Sequence, residues 1–196
     1  MSSHYFTLHV ECGNQEAVSW LRTFYSLERP DDEAEPGEKK AWLAKLVGLM
    51  HRIELNPVSV LELSDEAEET DEELFDEVYR LMDFYNVSIE DDEGGITVNF
   101  ECGSCGELMD CGFHPKVLKC LGIDAAFLQW SESYSGGTWY YKLLNADAWE
   151  LLYEPRSDSA LDDRVAVIRP VDWEEESIPL REFVDLYRKH RELFQT

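Results

Sequence analysis

The sequence predicts an α+β fold built on a mainly antiparallel sheet, and three observations predict it. Short segments alternate apolar and polar residues, as in YFTLHVEC (5–12) and ITVNFEC (96–102), which is the period of a half-buried strand. Between them lie longer segments of helical period that open on capping residues. The second half then packs strand-like segments around tight turns, above all AAFLQWSESYSGGTWYYKLL (125–144), which reads as a hairpin across Ser135, Gly136 and Gly137. Interleaved helices with a meander point to α+β, with a ferredoxin-like arrangement as its candidate form.

Each element follows from local chemistry. Phe6, Leu8, Val10 and Cys12 share one face of the first strand. Asn14 suits the cap of a helix to about Leu27 whose apolar face carries Val18, Leu21, Phe24 and Tyr25. RPDDEAEPG (29–37) reads as a loop. A second helix spans Glu38 to Ile53, and its wide stripe of Trp42, Leu43, Leu46, Val47, Leu49, Met50 and Ile53 predicts deep packing against the sheet. VSVLEL (58–63) reads as a short strand. Thr70 and Glu73 form a capping box that opens a helix to about Tyr85, with Leu74, Val78, Leu81, Met82 and Tyr85 toward the core. EDDEGG (90–95) is a turn into the strand that carries Ile96, Val98, Phe100 and Cys102 on one face. Pro115 suits the first position of a short helix and Gly122 its end. After the hairpin, NADA turns the chain into the strand WELLYE (149–154). RVAVIRP (164–170) adds a candidate strand, and Ser177 caps a last helix with Leu180, Phe183, Val184, Tyr187 and Phe194 on its apolar side.

At 196 residues, 44% hydrophobic and 12% aromatic, the chain is long enough to bury a real core. The expectation is a single α+β domain over 1–196, with 155–196 as a C-terminal extension ending in an amphipathic helix. MSSHYFTLHVE lacks a basic segment followed by an apolar run, and no apolar run approaches the roughly 20 residues of a membrane helix. A cytoplasmic protein is expected. Five cysteines, an odd number, do not suggest a secreted disulfide framework.

The formal net charge is −25. It disfavours direct binding to nucleic acid or to an anionic membrane and favours a basic partner. Solubility, or adaptation to salt, is the simpler explanation to set beside it. The charge is concentrated: from Glu62 to Glu93 stand fifteen acids and one base, Arg80. Like charges one turn apart oppose helix formation by roughly 0.2–0.5 kcal/mol per pair, and Glu72 with Asp76 and Glu73 with Glu77 are two such pairs. Glu66, Glu68, Glu69, Glu72, Glu73, Asp76 and Glu77 are therefore the candidate binding residues. The tail, with Arg181, Arg188, Lys189 and Arg191, has the opposite sign and is able to dock on the acidic middle.

Cys102, Cys105, Cys111 and His114 give C-x2-C-x5-C-x2-H, a donor set suited to structural zinc, with Cys12 able to replace Cys111 or His114. The central spacing is short for paired knuckles. C-G-S-C also permits a redox reading, and small apolar core thiols are the plainer alternative. No phosphate-binding, dinucleotide, zinc-protease or nucleophile-elbow motif is present. No catalytic residue is assigned. Glu132 and the separated His4, His9, His51 and His190 do not form a recognisable set.

In the meander Trp139, Tyr141 and Leu143 share one side, which leaves Tyr140 with Thr138 and Lys142 on the other. Tyr140 is thus a candidate interface anchor, against the alternative of a two-layer core that leaves it half exposed. The expectation is a non-enzymatic acidic binding protein that engages a basic protein. Its most concrete forms are an inhibitor that mimics nucleic acid and a protein that neutralises a toxin. A zinc-stabilised adaptor or a thiol-dependent enzyme is the alternative.

Overall fold

The computed structural model describes residues 4–31, 33–55, 82, 84–92, 94–103, 113–132, 137–145, 148–153 and 178–194. In chain order these hold β1 (His4–Glu11), α1 (Gln15–Tyr25), α2 (Pro36–His51), β2 (Phe84–Asp92), β3 (Gly95–Cys102), α3 (Phe113–Cys120), β4 (Ala125–Glu132), β5 (Thr138–Leu143), β6 (Trp149–Tyr153), α4 (Leu180–Lys189) and the short α5 (Arg191–Phe194). The strands form one antiparallel sheet in the order β2-β3-β1-β4-β5-β6. The fold is α+β.

β1 lies at the centre because its alternation lets it pair on both edges, Phe6 facing Phe100 of β3 and Trp130 of β4. Its inward residues Phe6, Leu8 and Val10 join Ile96, Val98, Phe100, Ala126 and Leu128 in a first core under α1 and α2. The Asn14 side chain accepts a hydrogen bond from the Glu16 amide and caps α1, a contact whose loss costs about 1 kcal/mol. Trp20 of α1 donates its indole N–H to the Leu49 carbonyl of α2 at 2.9 Å, tying the two helices together. Helix α3 ends at Gly122, whose φ of 73° suits glycine, and the Ile123 amide turns back to the Leu118 carbonyl at 3.0 Å.

The second face of the sheet carries a separate, smaller core. Phe127, Tyr140 and Leu152 meet Ile178 and the Leu180, Phe183 and Val184 stripe of α4 there. Tyr140, read from sequence as an interface anchor or at most half covered, is only 2% exposed. Its ring stacks on Phe183 with centroids 3.9 Å apart, and its hydroxyl donates to the Ile178 carbonyl. The alternation of β5 was legible. The helix that covers its second side comes about forty residues later, and nothing local announces it.

Other differences are smaller. The helix expected to run to Tyr85 gives way to a strand by Phe84. A bulge after Tyr85, with Asn86 at φ 52°, resets the strand's parity. Phe84 and Val87 thereby both face the first core, a pattern that simple alternation hides. Glu90–Asp92 belong to this strand and not to a turn. Pro36 opens α2 from within the expected loop, and Phe113 opens α3 two residues before Pro115. The expected strands at 58–63 and 164–170 and most of the helix from Thr70 lie outside the described residues. No helix among the described residues is long and apolar enough to cross a membrane.

Candidate functional site

The seven acidic binding residues, Glu66 to Glu77, lie outside the described residues, as do Cys105 and Cys111. The described end of the acidic run is neutralised within the chain. Asp91 and Asp92 are neighbours in β2, so strand alternation sends them to opposite faces. Asp91 pairs with Arg22 of α1 on one side, and Asp92 pairs with Arg181 of α4 on the other. The basic tail does dock on the last part of the acidic run.

Around Asp92 stands a compact polar group. Its carboxylate lies 3.1 Å from His9 Nδ1 and accepts from Thr97 Oγ1, which in turn lies 3.0 Å from the same ring nitrogen. Register explains the grouping, since His9 of β1 faces Thr97 of β3 directly. His9 Nε2 points to Glu11 at 3.7 Å, and Glu11 also takes Arg188 of α4. Burial lowers the His9 pKa, Glu11 opposes this, and Arg181 and Arg188 add to the lowering. With side chains of His9 and Asp92 only 12% and 6% exposed, the group works as a latch that fastens α4 to the sheet. His9 looks isolated in the sequence because Asp92 and Thr97 are more than eighty residues away.

Arg188 shows how this face receives a guanidinium. It pairs with Glu11 and lies 5.5 Å from the Phe127 ring centroid, so a carboxylate and an aromatic ring hold it together. The same face continues as a polar surface toward the other end of the strands. Thr7 donates to Asn99 at 2.8 Å, and Asn99 to Ser88 at 3.3 Å. Beyond them Tyr85, Glu101 and Tyr5 form one cross-strand row over β2, β3 and β1. On the core side, a groove of about 670 Å³ lies between residues 25–31 and the outer strand β2.

The two described members of the cysteine cluster sit in the first core. Cys102 is 2% exposed at the end of β3 and His114 is 5% exposed at the start of α3. His114 stacks on Tyr25 and Phe100, and its Nδ1 is 3.0 Å from the Tyr25 hydroxyl. Burial lowers its pKa to about 4 and pushes that of Tyr25 up. The phenol therefore keeps its proton and the imidazole is neutral, and the two share a hydrogen bond whose direction follows from the ring's tautomer. Cys12 cannot join them. It hydrogen-bonds Gly94 at the opposite end of the strand pair in which His4 faces Cys102, roughly 26 Å away at ~3.3 Å per residue. Cys12 and Cys120 are free thiols, and the described residues hold no cluster of three or more metal donors. The Cys120 thiol is pushed up by burial and by Glu54, the reverse of an activated nucleophile.

Comparison with family models, curated proteins and solved structures finds no match.

Proposed function

We propose that this chain is a non-enzymatic acidic binding protein that engages a basic protein surface, acting as a mimic of nucleic acid toward a nucleic-acid-binding protein or as the neutraliser of a basic toxin. The observation that carries the reading is the docking of α4. Within the chain itself, acids on the sheet receive Arg181 and Arg188 from a basic amphipathic helix. The supply of internal cations then runs out. With 42 acids and 17 lysines and arginines, 42 − 17 leaves 25 carboxylates uncompensated even if every cation is paired. Carboxylates at high density on a rigid scaffold compete for clefts built to hold phosphates. The scaffold reading is that β1 to β4 with their helices form a ferredoxin-like split βαβ unit, extended by β5 and β6. The order β2-β3-β1-β4 supports it.

The test is capture of partners from host lysate at low salt, followed by kinetics on the captured protein. Charge reversal at Glu69, Glu73 and Glu77 should slow association by roughly tenfold or more with the fold intact. Equal association rates for parent and variant at low salt would reduce the acidic run to a solvated face.

A zinc-stabilised adaptor is the second reading. It is favoured by the placing of Cys102 and His114 on the two elements that bracket Cys105 and Cys111. Under it, protein purified without chelator carries about one zinc per chain by elemental analysis; metal-free, fully folded protein would remove it.

A further inference from the structure

We propose that Tyr5, Glu101 and Tyr85 form a clamp for an arginine side chain of a partner protein. The inference deepens the acidic-binding reading and rests on it. The three residues belong to one cross-strand row, Tyr85 of β2 facing Glu101 of β3 and Glu101 facing Tyr5 of β1. Side chains directly opposed in an antiparallel pair point the same way, so the carboxylate stands between two phenol rings.

Both tyrosines are exposed, Tyr5 at 46% and Tyr85 at 41%. Neighbouring strands lie ~4.8 Å apart, which sets the two tyrosine stems roughly 10 Å apart. A gap of this width admits a cation over Glu101 with a tyrosine on either side, the arrangement a cation–π contact needs. Glu101 supplies the charge below it. Asn86, held at the bulge with φ 52°, donates its amide to Glu101 Oε1 at 2.9 Å and fixes the carboxylate.

The occupant is argued from the same face. Arg188 is held there by Glu11 and the Phe127 ring together. That internal site uses one carboxylate and one ring, and the clamp offers one carboxylate and two. Glu11 and Tyr5 are six positions apart on β1, roughly 20 Å of strand, so a second guanidinium does not collide with the first. A flat guanidinium fits between two rings and against a carboxylate better than a rounded, strongly hydrated ammonium. The excess of acid on the chain draws such a side chain in.

The test titrates N-acetyl-Gly-Arg-Gly-amide into the full chain at low ionic strength and follows the resonances of Tyr5, Tyr85 and Glu101. Lysine and citrulline versions serve as comparisons. The arginine peptide should shift all three residues in a saturable way, the lysine peptide should bind more weakly, and the uncharged citrulline peptide should not bind. Tyr5→Ala or Glu101→Gln should each weaken binding about two- to fivefold, while Tyr5→Phe keeps the ring and the affinity. Shifts confined to the acidic run would overturn the clamp and leave the acidic-binding reading standing. Equal binding of citrulline, or no saturable shift at any residue, would also overturn it. Lysate capture that persists in that case still supports the broader reading, and capture lost as well removes both.

Discussion

Replacing Phe183 by alanine should remove about 3–5 kcal/mol of stability, the usual range for deleting a fully buried phenylalanine. Phe183 is 1% exposed and stacks on Tyr140, with Tyr153 at 6.1 Å between ring centroids. Among the described residues the second core holds seven buried side chains, four of them from Ile178 and α4. The ion pairs Arg181–Asp92 and Arg188–Glu11 hold α4 to the sheet from its polar side and do not replace the ring contacts that Phe183 supplies. Hydrogen exchange is the informative measurement. Protection should fall most in 180–189 and 138–153, whereas β1 and β3, held by the first core, should keep theirs. Uniform loss across the sheet would mean that the two cores are one cooperative unit.

The second large effect is a dependence on acid centred on His114. Its folded pKa of about 4 lies below the ordinary 6.5, so the unfolded chain takes up the proton first. The contribution is complete above about pH 6.5 and disappears as pH falls through 4, for a total of about 3 kcal/mol. Protonation also makes both ring nitrogens donors and leaves a cation stacked between Tyr25 and Phe100 in the core. Acid simultaneously relieves the −25 charge, an effect of opposite sign. The comparison must therefore be with His114→Gln, whose stability should fall less between pH 6.5 and 4. Parallel profiles for the two proteins would remove the effect. A profile that changes only when chelator is added would be the signature of zinc at this histidine.

Much of this architecture could be read from residue order because it is local. β1, β3 and the β4-β5-β6 meander follow from period-two alternation and turn chemistry, and α1 starts where Asn14 caps it. The failures share a physical cause. In β2 the helical spacing that begins at Thr70 runs past Met82, and the bulge at Asn86 erases the alternation that would have marked a strand. Tyr140 was placed on the correct side of β5, but only tertiary packing reveals that α4 covers that side. His9 with Asp92, Arg188 with Glu11, and the row Tyr85-Glu101-Tyr5 depend on which strand lies beside which. Register is set by the whole sheet. The cysteine spacing, by contrast, suggested a site before any fold was known, and the structure places only its two outer members.

The central position of β1 also governs when the chain is able to fold. One partner of β1 begins at Gly95 and the other at Ala125, so 113 residues are synthesised between Glu11 and the start of β4. At ~5–20 residues per second this is roughly 6–23 s of translation. Both edges of this eight-residue alternating strand stay unpaired until β3 is made, and one edge stays open until β4 follows. Contacts of such long range make folding slow, and open strand edges invite pairing with neighbouring chains. The acidic stretch from Glu62 to Glu93 emerges midway through the wait. Mutual repulsion between nascent chains that carry it would hold them apart until β4 arrives, a benefit in the ribosome's vicinity that requires no binding partner at all.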